Sequence, residues 1–141
     1  MNKTSLLLGN GIIGIVIISL FSISFSDEQI STTRIIPIDE TIAIEKTILF
    51  FHAPEEPSHY WGYVEGKIAN HVPGFAVIIE MHNEKESFPR YSQVDVNEDG
   101  YYEYKFRVKN VHDGELVWKM EGDYRITIFK VVHLDPRNNF V

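Results

Sequence analysis

The chain has 141 residues, enough for one domain with an appendage, and 44% of them are apolar, enough for a core. It has no cysteine, which excludes disulfide staples and thiolate metal sites. The formal net charge of −7 argues against a nucleic-acid partner, and against docking on anionic lipid by net charge alone. Nine Phe, seven Tyr and two Trp, with many Ile and Val, favour sheet over helix.

Residues 1–5 carry Lys3, and residues 6–25 then hold no charged side chain. As a helix this run would span about 30 Å, the hydrocarbon thickness of a bilayer. Ser24 and Ser26 are small residues placed for a cut before Asp27. Residues 1–26 are therefore expected to be an uncleaved transmembrane anchor or a cleaved signal peptide. Lys3 on one flank, with Asp27 and Glu28 on the other, agrees with the remainder lying outside. Lys3 is the only charged side chain in residues 1–26, so the exported part carries net −8.

Residues 27–40 are read as a tether, polar at first and kept extended by Pro37. A strand is expected within residues 41–51, where the even positions Ile42, Ile44, Ile48 and Phe50 are apolar. Residues 52–59 contain Pro54 and Pro57 and read as a loop. Residues 61–69 put Val64, Gly66 and Ile68 on one face. Residues 75–82 are nearly all apolar, as in a central strand packed on both sides. Residues 90–96 and 101–108 form a hairpin around Asn97-Glu98-Asp99-Gly100. In its second strand Tyr102, Tyr104, Phe106 and Val108 alternate with Tyr101, Glu103, Lys105 and Arg107, predicting one buried and one wet face. Residues 109–114 read as a loop, and residues 116–120 as a short strand with Leu116, Trp118 and Met120 on one side. Residues 124–134 give the last strand, with Tyr124, Ile126, Ile128, Val132 and Leu134 inward and Lys130 breaking the pattern. Residues 135–141 are a polar tail.

These are seven strands with turns between them and no amphipathic helix after the apolar run. The expected fold is all-β, a seven-stranded immunoglobulin-like β-sandwich over residues 41–134. The series Val64-x-Gly66-x-Ile68, Pro73-Gly74-x-x-Val77-x-Ile79, Asp99-Gly100-x-Tyr102-x-x-x-Phe106 and Gly122-x-Tyr124-x-Ile126-x-Ile128 resembles the transthyretin-like or carboxypeptidase-regulatory-like sandwich. It also resembles small exported sandwich proteins of ammonia-oxidising archaea. The resemblance covers residues 63–134 and implies an extracytoplasmic module with a structural or binding role. It carries no catalytic residue onto this chain.

Asp95-x-Asn97-x-Asp99-Gly100 has the spacing of the first half of a calcium loop, but Phe106 stands where a bidentate Glu is needed. Asp95, Asn97 and Asp99 are weak calcium candidates beside the plainer reading of a hairpin turn. His52, His59, His71, His82, His112 and His133 show no i, i+2 or i, i+4 ligand spacing, so loop histidines in solvent are the expectation. No Gly-x-Ser-x-Gly elbow, phosphate loop or His-Glu-x-x-His is present, so no enzyme activity and no cofactor are expected. His59, Tyr60 and Trp61 are the best binding candidates, since aromatics near a loop can stack on sugars or anchor a partner. The competing expectation is that Trp61 plugs one end of the core.

The expected function is a structural or protein-binding module, held at the cell membrane by residues 6–25 or secreted after cleavage, with a protein partner at the cell surface and no nucleic acid. The rivals are an exported metal- or carbohydrate-binding module and a small accessory subunit of a membrane enzyme complex. In the last case Gly9, Gly11 and Gly14 would allow close approach of partner helices.

Overall fold

Period-two alternation and β-branched residues make strands along most of the described residues. The computed structural model describes residues 15–20, 23–24 and 31–134, the first two stretches as backbone only. In chain order the strands are β1 (Ile15–Leu20), β2 (Ile23–Ser24), β3 (Ser31–Pro37), β4 (Ile42–His52), β5 (Trp61–Lys67), β6 (Val77–Asn83), β7 (Arg90–Val94), β8 (Tyr101–Arg107), β9 (Lys109–His112), β10 (Glu115–Lys119) and β11 (Asp123–His133). The described residues contain no helix, and so none long and apolar enough to cross a membrane.

Two antiparallel sheets share one core. The larger has five strands in the order β3-β4-β11-β6-β7. The other is built on the β5–β8 pair, with β1 and then β2 added at the far edge of β5. Strand β11 is the spine of the larger sheet, paired along its whole length with β4 and along Tyr124–Phe129 with β6. Phe51 of β4 stacks on Tyr124 of β11 at 5.2 Å and meets Phe106 of β8 at 6.4 Å, so the aromatic core bridges the sheets. Ser92 donates to Tyr104 Oη at 3.0 Å, a second link between them.

The expected faces of β8 are observed: Tyr102, Phe106 and Val108 are buried, Tyr104 packs against them, and Glu103, Lys105 and Arg107 are exposed. The turn ahead of it needs glycine. Gly100 has φ +89°, and a Cβ there would lie 2.6 Å from the Ile68 carbonyl oxygen.

Strand β4 is inverted relative to its apolar pattern. Its buried positions are Ala43, Glu45, Thr47, Leu49 and Phe51, while Ile42, Ile44, Ile48 and Phe50 lie on the outer face. The reason is Lys130. It does not break β11 but points inward with Ile128 and Val132, wholly buried, with Nζ 2.8 Å from Glu45 Oε1. Glu45 and Lys130 are direct partners in the β4–β11 register. The contact is charge to charge; neither group, nor Tyr102 Oη, has a well-aligned hydrogen-bond partner among the described residues. Burial, with the Glu45 charge adding to it, pushes the Tyr102 phenol far up, so it stays neutral.

Several expectations change. The hairpin expected between residues 90–96 and 101–108 does not form: β7 pairs with β6 in the larger sheet and β8 with β5 in the other, so the turn at residues 97–100 carries the chain from one sheet to the other. Strand β6 is central in its sheet but buried on one face only, with Ile78, Glu80 and His82 on the outer face. The stretch read as a tether contains β3, where Thr32, Thr33, Ile35 and Ile36 give β-branched residues to a strand pairing with β4. Pro37 is tolerated because it closes an edge strand. Residues 109–114 are not merely a loop: β9 and β10 form a hairpin outside both sheets, with Leu116 and Trp118 exposed and Met120 buried. The strand count therefore exceeds seven. The expected anchor or signal peptide lies mostly outside the described residues; within it, Ile15–Leu20 runs antiparallel to β5. The tail 135–141 also lies outside them.

Removing one partner of a buried pair strands the other charge, so Lys130→Met alone should cost about 3–5 kcal/mol in denaturant melts. Lys130→Met with Glu45→Leu should regain most of it. Additive losses in the double mutant would show that the two groups do not act as a pair.

Candidate functional site

The loop from β4 to β5 and the β9–β10 hairpin stand side by side and carry exposed Tyr60 and Trp118. Residues 53–60 run from β4 to β5, and the β9–β10 hairpin rises beside them. The hairpin turns at Asp113 and Gly114, with φ of 50° and 80°, the two-residue geometry that Asp-Gly favours. Its root is fixed in the core: Val108 and Met120 are buried, and Met120 N–H donates to the Val108 carbonyl at 2.8 Å. Its far half carries Leu116, Val117 and Trp118, all exposed, with a register shift between Leu116 and Trp118.

Two lysines latch the loop to this root. Lys109 and Lys119 are cross-strand partners. Lys109 Nζ donates to the Pro57 carbonyl at 2.7 Å and sits 5.0 Å over the Tyr60 ring. Lys119 Nζ donates to the Glu55 carbonyl. Val108 N–H donates to the Tyr60 carbonyl at 2.7 Å. A proline-rich loop that would otherwise move is thereby tied at three backbone carbonyls.

Two open hollows of about 400 and 420 Å³ adjoin here and share Lys85, Lys119 and Glu121. Trp118 and Tyr124 line the second. Buried Asn83 props the floor, donating to the Glu121 carbonyl at 2.7 Å and accepting from Lys85 N–H at 2.8 Å. The lining is mixed in charge and in polarity, which suits a peptide or protein surface better than an apolar small molecule.

The binding candidates separate. His59 and Tyr60 are exposed on the latched loop. Trp61 does not plug the core: it is half-buried on the outer face of β5, with Lys105 Nζ 4.2 Å and Arg107 Cζ 4.5 Å from its ring centre. Cross-strand pairing with Arg107 puts it there. A sugar stacking on this indole would first have to displace two cations.

On the same outer face Glu65 and Glu103 stand opposite each other, and the single Tyr101 phenol proton lies between them, donated to Glu65 at 3.0 Å with a Glu103 oxygen at 3.3 Å. Holding those carboxylates pushes the Tyr101 phenol up to about 12, the Glu65 hydrogen bond being the largest cause. Asp99 is used locally, its carboxylate accepting from Tyr101 N–H at 3.1 Å, while Asp95 is exposed and Asn97 closes the turn through its backbone. No three His, Asp or Glu among the described residues stand together as an ion site. The histidines are dispersed: His52 pairs with Asp123 at 2.7 Å, His112 lies 3.4 Å from Asp113, His71 forms an isolated bridge to Val132, and His82 and His133 lie on the larger sheet.

Sequence reasoning found the second strand of the arm at residues 116–120 but missed its partner β9 and the two latching lysines, although Asp113-Gly114 between Val111-His112 and Glu115-Leu116 is a recognisable hairpin signal. Comparison with protein-family models, with curated proteins and with solved structures gives no match.

The raised Tyr101 group has a testable consequence. Its stabilising contribution is complete below the unfolded value of 10.0 and is lost as pH rises toward about 12. Between those values the wild type should lose more stability than Tyr101→Phe, as read from denaturant melts at stepped pH. Parallel curves would show that Tyr101 Oη does not hold the two carboxylates.

Proposed function

We propose that the chain is an exported immunoglobulin-like β-sandwich module, akin to the transthyretin-like type, whose role is to bind a protein partner at the cell surface. Two antiparallel sheets around one core support the fold part of this reading. The observation that carries the function is the β9–β10 arm. A hairpin outside both sheets has no folding reason to display Leu116, Val117 and Trp118, and exposed apolar residues beside a hollow of mixed polarity are the anatomy of a contact surface.

In this reading residues 6–25 hold the module at the membrane, or are removed by cleavage before Asp27. Either fate takes Ile15–Leu20 off the edge of β5, and β5–β8 then stands as a two-stranded layer against the five-stranded sheet. Intact mass of the protein from native membranes separates the tethered form from the cleaved one.

Capture from native membranes in mild detergent tests the binding role. Leu116→Ser with Trp118→Ala should abolish recovery of the partner while leaving the melting midpoint within a degree or two, because exposed positions contribute about 0.5 kcal/mol or less to stability. Undiminished recovery would remove the arm from the interface. A large fall in the midpoint would give the arm a folding role instead.

A further inference from the structure

The outer face of the five-stranded sheet is unusual for a solvated surface. Antiparallel sheets with one packed face ordinarily show polar residues on the other. Here the outward positions of the β4–β11 centre are Ile42, Ile44, Ile48, Phe50, Phe129 and Val131. Ile78 of β6 and Ile36 of β3 continue the patch on either side. Ile38, at the turn into β4, and Phe50 are each 53% exposed.

The fixed charges on this face are also distinct. Arg34, Lys46 and Arg125 point outward, with two acids, Glu80 and Asp123, the latter at the end of β11 and paired with His52 at 2.7 Å. Glu80 is itself engaged, 3.8 Å from Arg125 and hydrogen-bonded by the Tyr91 phenol. So a chain of net charge −7 presents one face that is apolar and locally cationic. A second copy laid face to face would set like charges together, which disfavours self-association here. An anionic surface with an apolar interior meets both properties.

The chain's own order points the same way. Edge strand β3 belongs to this sheet and begins at Ser31. Only residues 26–30 separate it from the apolar run, a link of roughly 18 Å when fully extended. A sheet so close to a membrane-inserting segment is within reach of the headgroups.

We propose that the outer face of the β3-β4-β11-β6-β7 sheet docks on an anionic membrane surface, with Ile36, Ile38 and Phe50 at the acyl boundary and Arg34, Lys46 and Arg125 among the headgroups. This rests on the reading that the module works beside a membrane, and it orients the module: the sheet lies down and the hairpin arm remains free for the protein partner.

The chain has no cysteine, so a single introduced thiol is a unique label. In the full-length chain, Thr32→Cys places an environment-sensitive fluorophore on this face, and Glu103→Cys places one on the outer face of the other sheet. Vesicles of phosphatidylcholine alone are compared with vesicles containing about 30 mol% phosphatidylglycerol, a composition that makes each fixed cation worth roughly fivefold in partitioning. The position-32 label should shift to the blue at about tenfold lower lipid on the anionic vesicles, and the position-103 label should not. Lys46→Glu should abolish the preference for anionic lipid, and Phe50→Ser should reduce the shift itself. Equal shifts at both positions, equal response to both vesicle types, or a silent position-32 label would overturn the proposal. The last result would leave an acidic protein as occupant. A shift that grows with protein concentration in the absence of lipid would also overturn it, in favour of a second copy. Insertion by residues 6–25 acts on both labels and both vesicle types alike, so failure of the tether leaves the position-dependent difference readable.

Discussion

The buried contact between Lys130 and Glu45 decides how this chain closes. Lys130 lies in the middle of β11, the strand that pairs with both β4 and β6. An ammonium enclosed there is tolerable only with a carboxylate against it, since an unpaired buried charge costs several kcal/mol. Glu45 supplies it, and in doing so fixes the face of β4. Slipping β4 by one residue would bury Ile42, Ile44, Ile48 and Phe50, each worth about 1.5–3 kcal/mol when fully buried. The same slip would expose Leu49 and Phe51, take Glu45 away and turn Lys46 inward beside Lys130. The net apolar gain is then about two side chains, set against two enclosed ammonium groups. The observed register wins, and the apolar outer face of the larger sheet is its consequence.

This is also where reading the sequence stops short. The alternation on β8 was legible because Tyr102 and Phe106 oppose Glu103, Lys105 and Arg107 without exception, and hydropathy and burial agree there. The inward set of β11 was legible for the same reason, apart from Lys130, which hydropathy marks as an interruption. For β4 the pattern itself is correct, but hydropathy assigns the wrong face to it. The inversion depends on a pairing between positions 45 and 130, far apart in the chain, and no local window contains it. Strand β3 was hidden differently: Thr32, Thr33 and Arg34 alternate weakly, and an edge strand needs little hydrophobicity once β4 offers it a ladder.

The loop from β4 to β5 and the hairpin arm show the same division between local and non-local information. The exposure of Tyr60 follows from its place after a proline-rich loop. Trp61 is different, because its environment is made by Lys105 and Arg107 on a strand that pairs with it only in the folded state. The latch at residues 53–60 likewise depends on Lys109 and Lys119 coming into register across the hairpin. An Asp-Gly turn can be found by inspection; that its two strands leave the sheets and rise as an arm follows from the buried Val108 and Met120 at its root.

Net charge proves a poor guide to the faces of this protein, and the reason is where its cations are placed. The chain has thirteen Lys and Arg against twenty Asp and Glu. Lys130 is inside, Lys109 and Lys119 hold the loop, and Lys105 and Arg107 cover Trp61. Arg34, Lys46 and Arg125 occupy the apolar face, where the acids Glu80 and Asp123 stand beside Arg125 and His52. Exposed acids are spread through the turns instead, at Glu55, Glu84, Asp95, Asp99 and Asp113 among others. Beyond a Debye length of about 8 Å at physiological ionic strength, such scattered charges are largely screened from a surface they do not face. A partner approaching one side therefore meets the local arrangement rather than the sum over the chain, and an acidic protein can present a cationic, apolar sheet without contradiction.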